Sequence, residues 1–241
     1  LYALFHPRVG FTLLACLHTA LSLVLTYGFC RVLGLSILAA VSAALAYSLG
    51  GFMVGWVPLP TATNCATWLP GALLGVEWLS RGSLARGVSV LAMCCGLTVL
   101  AGHLQIAAYV LLATILYGLA RVASRPLRQS VTTGLGLAVA LLVGIGISAP
   151  QLLPSLELGG MSPRGSVQAT PAGFQGHLAW ALKSEELATL LWPEALGSPA
   201  RGDYPGFAYG ERVGYVGVVT LLMAVVGLAL NRRRWKWVMA I

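Results

Sequence analysis

The chain has 241 residues, of which 58% are hydrophobic and only 9% charged, against roughly 45–50% and about 25% in a soluble domain. That balance excludes an ordinary soluble enzyme and reads as an integral membrane protein. The formal charge of +8 invites a nucleic-acid partner, but the basic residues sort into alternate loops, so none is expected.

Apolar runs long enough to cross a bilayer, about 20 residues each, recur near 10–29, 33–55, 64–80, 87–102, 104–120, 130–149 and 213–230. They are too long and too uniformly apolar for alternating barrel strands, and lipid offers unpaired backbone groups no partner. The expected class is therefore all-α, a polytopic transmembrane helix bundle. The first run continues to full spanning length, so no cleavable signal is expected. The chain starts with Leu1, and 235–241 resembles the opening of an eighth span; the sequence reads as a fragment, 1–241, of one transmembrane domain.

Between the runs, Arg31 follows the first, Arg81 and Arg86 the third, Arg121, Arg125 and Arg128 the fifth, and Arg232, Arg233, Arg234 and Lys236 the seventh. The intervening connections, 57–66 and 102–105, hold no Lys, Arg, Asp or Glu. The positive-inside rule puts the arginine loops in the cytoplasm of a multi-pass cell-membrane protein. The connection 150–212 is then extracytoplasmic, and it carries six of the seven acids: Glu157, Glu185, Glu186, Glu194, Asp203 and Glu211. The seventh, Glu77, is spaced for an i,i+4 pair with Arg81, both side chains snorkelling to the interface; a proton relay is the alternative reading.

At the outer level, Gly102 can supply a tight reversal that turns His103 and Gln105 outward, either as a site or as a turn that satisfies backbone groups and headgroups. Thr63 or Asn64 is expected to cap the third span, with Trp68 as an interfacial anchor. Pro150, Pro154 and the following glycines argue against a continuous helix from Glu157 to Arg164. Ser184 is expected to cap a short surface helix, with Glu185 and Glu186 in its first turn and Leu187, Leu190 and Leu191 as its apolar stripe. Arg201 to Pro205 and Tyr209 to Arg212 form a polar, aromatic stretch whose plain reading is a solvated loop.

Gly144, Gly146 and Ser148 imitate a dinucleotide fingerprint but lie within a span. With Gly136 and Ala140, Gly144 and Ser148 instead make a small-residue face for close helix approach. The five cysteines fall mostly inside spans, without zinc or disulfide spacing. Without a P-loop, an Asp-x-Asp pair or a metal-spaced cluster, no energy from a cytoplasmic nucleotide is indicated, and no cofactor and no metal-ligand set are expected, the need for a divalent metal being left open.

Taken in order, Leu17-His18, Arg31 to Ser36, Tyr47 to Phe52, and Ala66-Thr67-Trp68-Leu69-Pro70 are followed by Gly102-His103-Leu104-Gln105. Then come Gln151-Leu152-Leu153-Pro154 with Glu157, Ser162 and Arg164, and Glu211 with Tyr215-Val216-Gly217. This series resembles the bacterial YfhO-type membrane proteins, placed among the GT-C-like glycosyltransferases; Leu104 stands where that family has Pro. The resemblance implies transfer of a sugar from a polyprenyl-phosphate carrier to a cell-envelope acceptor on the outer face. It implies that Arg164, Arg201 or Arg212 meets the phosphate, and that Asn64, His103 and Gln105 meet the sugar, with Gln151 nearby. The family's catalytic carboxylate is expected on an acidic outer loop upstream of Leu1; Asp203, Glu157 and Glu211 are the stand-ins within this sequence. The alternatives are a transporter or lipid flippase, and a non-catalytic assembly protein.

Overall fold

The computed structural model describes residues 5–162, 170–178, 181–206 and 209–230. Arg164, the basic cluster 232–236 and the start of the expected eighth span lie outside them. Among the described residues the chain is helical and contains no strand. The helices are α1 (Pro7–Val32), α2 (Ile37–Ser48), α3 (Gly51–Gly55), α4 (Thr61–Ala66), α5 (Leu69–Ser80), α6 (Leu84–Leu100), α7 (Leu104–Ala123), α8 (Leu127–Met161), α9 (Pro171–Leu178), α10 (Tyr209–Arg212) and α11 (Val218–Leu230). A 3-10 helix spans Ser184–Leu190.

Four segments are long and apolar enough to cross a membrane: Pro7–Val32, Ile37–Gly55, Leu104–Ala123 and Leu127–Met161. The expected third span is split into α4 and α5, and the fourth and seventh are the shorter apolar helices α6 and α11. The surface matches a lipid setting, since large side chains such as Leu38 (77% exposed) and Leu142 (69%) face outward. The interior combines large apolar side chains such as Phe29, Leu79, Leu91 and Leu137 with small and hydroxyl residues, among them Ala40, Ala72, Ala140, Ser22 and Thr98. Buried hydroxyls find partners locally: Thr26 and Thr114 donate to carbonyls one turn back, and Ser22 and Ser48 bond across α1 and α2 at 2.8 Å.

The most extensive helix pairing is α6 on α8. Gly136, Ala140, Gly144 and Ser148 are all buried on α8, as their four-residue spacing predicts. A Cβ on Gly96 would stand 2.7 Å from Ile147 Cγ2, and one on Gly144 would stand 3.0 Å from Cys95 Cβ, so small side chains are what let the two helices meet.

Reversals define two ends of the bundle. At one, α5 closes in a Schellman turn, with Ser83 N–H donating to Trp78 O (2.9 Å) and Gly82 N–H to Leu79 O (3.0 Å). Gly82 sits there at φ +86°, a backbone region that glycine enters without steric cost. At the other end, Gly102 (φ +89°) turns α6 into α7.

Three expectations about helix limits are corrected. α8 does not stop near residue 149: it runs through Pro150 and Pro154 to Met161. Each proline removes one backbone donor, a loss that apolar helices tolerate where the surroundings take up the freed groups; beside these turns Ser148 Oγ donates to Ile145 O at 3.0 Å and Ser155 Oγ to Gln151 O at 2.7 Å. At about 1.5 Å per residue, its 35 residues span about 52 Å, beyond the roughly 30 Å of a hydrocarbon core. Neither Thr63 nor Asn64 caps α4, which starts at Thr61 after Pro60 and carries both residues inside it. The 3-10 helix has Lys183 at its cap position rather than Ser184, because Glu186 Oε2 accepts the Lys183 backbone N–H at 2.8 Å.

The reading of Glu77 is also corrected. Its pair with Arg81 forms (3.3 Å), but Glu77 does not snorkel: its side chain is fully buried. Arg121 of α7 also binds its Oε2, and Tyr117 donates to its Oε1. A carboxylate held by two arginines and a phenol across two helices is a structural knot at the Gly82 end of the bundle.

Candidate functional site

At the Gly102 end, His103 occupies the N-cap of α7, where its Nδ1 accepts from Ile106 N–H at 3.4 Å. The ring therefore satisfies a backbone group, and it also meets Trp56 edge to face, centroids 5.9 Å apart. Cys65 of α4 donates its thiol to Thr98 O (3.1 Å), bringing α4 against the end of α6. Beside it, Asn64 is buried, and its Oδ1 has no hydrogen-bond partner among the described residues. Trp56 Nε1 is likewise buried without a partner among these residues. Gly210 packs over that indole: a Cβ there would stand 3.3 Å from Nε1 and 3.4 Å from Gly55 O.

Gly210 leads into a cavity of about 430 Å³ between α2–α3 and the segment 182–216. Tyr47, Gly50, Gly51, Phe52 and Met53 line one wall, and Glu186, Leu187, Leu190, Glu211, Arg212 and Tyr215 line the other. The walls join where Gly51 N–H donates to Tyr215 O at 2.6 Å. A Cβ on Gly51 would sit 2.7 Å from that oxygen, so only glycine permits the approach. Tyr47 OH fixes the first wall to α4 by donating to Ala66 O at 2.7 Å.

The second wall is held by charge. Glu186 is buried and pairs with Arg212. Thr189 Oγ accepts from Gly214 N–H (3.1 Å) while donating to Glu186 O (2.6 Å). The Lys183 N–H, then Arg212, hold the Glu186 carboxyl below the usual carboxylate range. A lowered folded value means the stabilisation is present above the unfolded pKa of about 4.3 and is lost as pH falls through the folded one. Hydrogen-exchange protection at 183–190 and 212–214, relative to the intrinsic rate at each pH, should therefore persist down to pH about 4 and fall only at more acid pH; loss of protection already near pH 6 would show that Glu186 does not hold this wall.

The predicted residues separate into groups. His103 lies against Trp56, Asn64 sits on α4 next to Cys65, whose thiol reaches His103 O at 3.6 Å, and Glu211 and Arg212 line the adjoining cavity. Gln105 is exposed and donates to Tyr109 OH at 3.0 Å. Gln151 and Glu157 are exposed on the long end of α8, Gln151 Nε2 lying 3.5 Å from Ser155 Oγ. Arg201 forms a surface knot with Glu194 (2.6 Å) and Asp203 (3.2 Å). The Ser198 N–H, followed by Arg201, holds the Asp203 carboxyl below its ordinary range, which makes it a poor proton acceptor near neutral pH. Arg164 lies outside the described residues. Trp56, Tyr47 and Glu186 join the site unpredicted; Trp56 falls just past the expected span 33–55.

Among the described residues no group of three His, Cys, Asp or Glu side chains is placed to hold a metal ion. Compared with family models, curated proteins and solved structures, the chain matches none.

Proposed function

We propose that the chain belongs to a GT-C-like membrane glycosyltransferase of YfhO type, moving a sugar from a polyprenyl-phosphate carrier to an acceptor outside the cell membrane. The observation that carries this reading is the cavity between α2–α3 and 182–216, apolar along most of its lining, with Arg212 and Glu211 among its walls. An isoprenoid phosphate needs both features. Arg212 already gives Nη1 to Glu186, yet a guanidinium has five donors in a planar fork, enough to engage a phosphate as well. Trp56 and His103 adjoin the cavity through Gly210 and offer the aromatic and polar surfaces that suit a sugar ring.

The positive-inside rule supports an orientation with the Gly102 end and residues 150–212 outside. Of the three carboxylates in this chain considered as general base, Glu211 alone lines the cavity.

The test is sugar transfer by the purified protein in liposomes, with a panel of polyprenyl-phosphate sugars as donors. Loss of a charge-assisted hydrogen bond costs about 1.5–3 kcal/mol, so Arg212→Ala should lower use of the donor roughly tenfold or more. Arg212→Lys should recover part of that, since it keeps charge but loses the fork. Absence of transfer from every donor, in protein that is folded and inserted, would sink the proposal in favour of a transporter or an assembly protein.

A further inference from the structure

The depth of the 3-10 helix in the membrane follows from its contacts. Ile37–Gly55 has 19 residues, about 28 Å at about 1.5 Å per residue, so all of it is needed to cross a hydrocarbon core of roughly 30 Å. Its last five residues, α3, therefore lie within the membrane rather than beyond it. Residues 210–215 run beside α3: Gly210 packs against Gly55 and Trp56, and Tyr215 O accepts from Gly51 N–H at 2.6 Å. The 3-10 helix Ser184–Leu190 is fastened to that same stretch. Thr189 Oγ bonds Gly214 N–H at 3.1 Å and Arg212 O at 3.2 Å, Leu190 packs on Gly214, and Glu186 pairs with Arg212. It thus stands at the level of α3, at the Gly102 end, where Trp56 meets His103.

At membrane depth, polar groups have to be satisfied inside the protein. Glu186 is buried, with its carboxylate on the Lys183 N–H and Arg212, and Thr189 is buried beside it. The large apolar side chains do the opposite: Leu182, Leu187, Leu191 and Trp192 are 58, 52, 62 and 65% exposed. The exposed polar residues gather at one end, at Lys183, Ser184 and Glu185, where a long lysine stem can carry its charge to the headgroups. Tryptophan is the aromatic best suited to that boundary. The helix that follows, α11, exposes Val218, Val219 and Leu222 in the same manner. A water-soluble partner would have to reach below the headgroups to cover these leucines, whereas acyl chains are already at that level. We infer that residues 182–192 are an interfacial anchor seated in the leaflet at the Gly102 end, with Leu182, Leu187, Leu191 and Trp192 against lipid. The cavity wall that carries Glu186 and Arg212 is thereby held by the bilayer as well as by α3.

Purified protein in phosphatidylcholine liposomes tests this in two ways. The emission that wild type has and Trp192→Phe lacks isolates Trp192. In vesicles whose acyl chains are brominated, that difference should fall roughly twofold or more, as for a side chain at the headgroup–acyl boundary, while aqueous iodide should change it little. Nitroxide labels on Leu187→Cys and Leu191→Cys, with the exposed native Cys16 replaced by serine, give the second readout. Both should collide with oxygen in preference to a nickel chelate, as at Leu142→Cys on the outward face of α8, and unlike Ala200→Cys in the exposed loop. Iodide quenching of Trp192 without an effect of bromine, or nickel access at 187 and 191 equal to that at 200, would put the segment in water and overturn the anchor. Low access to both reagents would overturn it in favour of a protein cover, with dipolar broadening marking a second copy of the chain.

Discussion

Replacing Glu77 with alanine should destabilise the bundle by about 3–5 kcal/mol, the usual cost of removing one partner from a buried ion pair. The loss is large because Glu77 is fully buried and serves Arg121, Arg81 and Tyr117 at once. Its removal leaves Arg121, only 14% exposed, without the carboxylate that offsets its charge. Glu77→Gln should be nearly as damaging, since it keeps the shape and withdraws the charge. Arg81→Ala is the contrast: its side chain is 46% exposed, so the change should cost about 1 kcal/mol or less, as for other solvated pairs. Reversible unfolding in mixed micelles measures all three. A cost for Glu77→Ala no greater than that of Arg81→Ala would show that the knot contributes nothing beyond a surface pair.

The second large effect is expected at Gly144. A leucine there must push its Cβ to within 3.0 Å of Cys95 Cβ and 3.1 Å of Ala92 O, forcing α6 and α8 apart. Overpacking of this kind costs about 1–3 kcal/mol, and more where backbone is the obstacle. Two residues along, Gly146 has nothing within 4 Å of the position a Cβ would take. Gly146→Ala should therefore be neutral or stabilise by up to about 1 kcal/mol through helix propensity. The same unfolding measurement on the two variants separates packing from propensity. Equal stability of Gly144→Leu and wild type would mean that α8 does not lie on α6 as described.

What the sequence made legible was local. The small face of α8 was readable from four-residue spacing, the α6–α7 reversal from Gly102, and the Glu77–Arg81 pair from its i,i+4 interval. The partners that bury Glu77 were not readable, because Tyr117 and Arg121 lie 40 and 44 residues away with no local pattern to announce them. The same holds for Arg212 with Glu186, 26 residues apart. Trp56 was passed over for a different reason. Aromatic residues at a span end are ordinarily interfacial anchors, and only the approach of Gly210 gives this one a place in the site. The helix through Pro150 and Pro154 was missed because proline was weighed as a breaker, whereas an apolar helix tolerates the loss of a single backbone donor.

The hydrogen bond from Gly51 to Tyr215 carries a consequence for biogenesis. Its two halves leave the ribosome at different times, separated by α4 to α8 and the long segment that follows. At a synthesis rate of roughly 5–20 residues per second, the α2–α3 break waits on the order of 10–30 s for the strand of chain that covers it. During that interval Gly50 and Gly51 offer an uncovered backbone edge to whatever membrane chaperone or neighbouring chain is near. Closure of the cavity is thus among the last events in the maturation of this part of the protein, and a chain stalled after α8 would present that edge indefinitely.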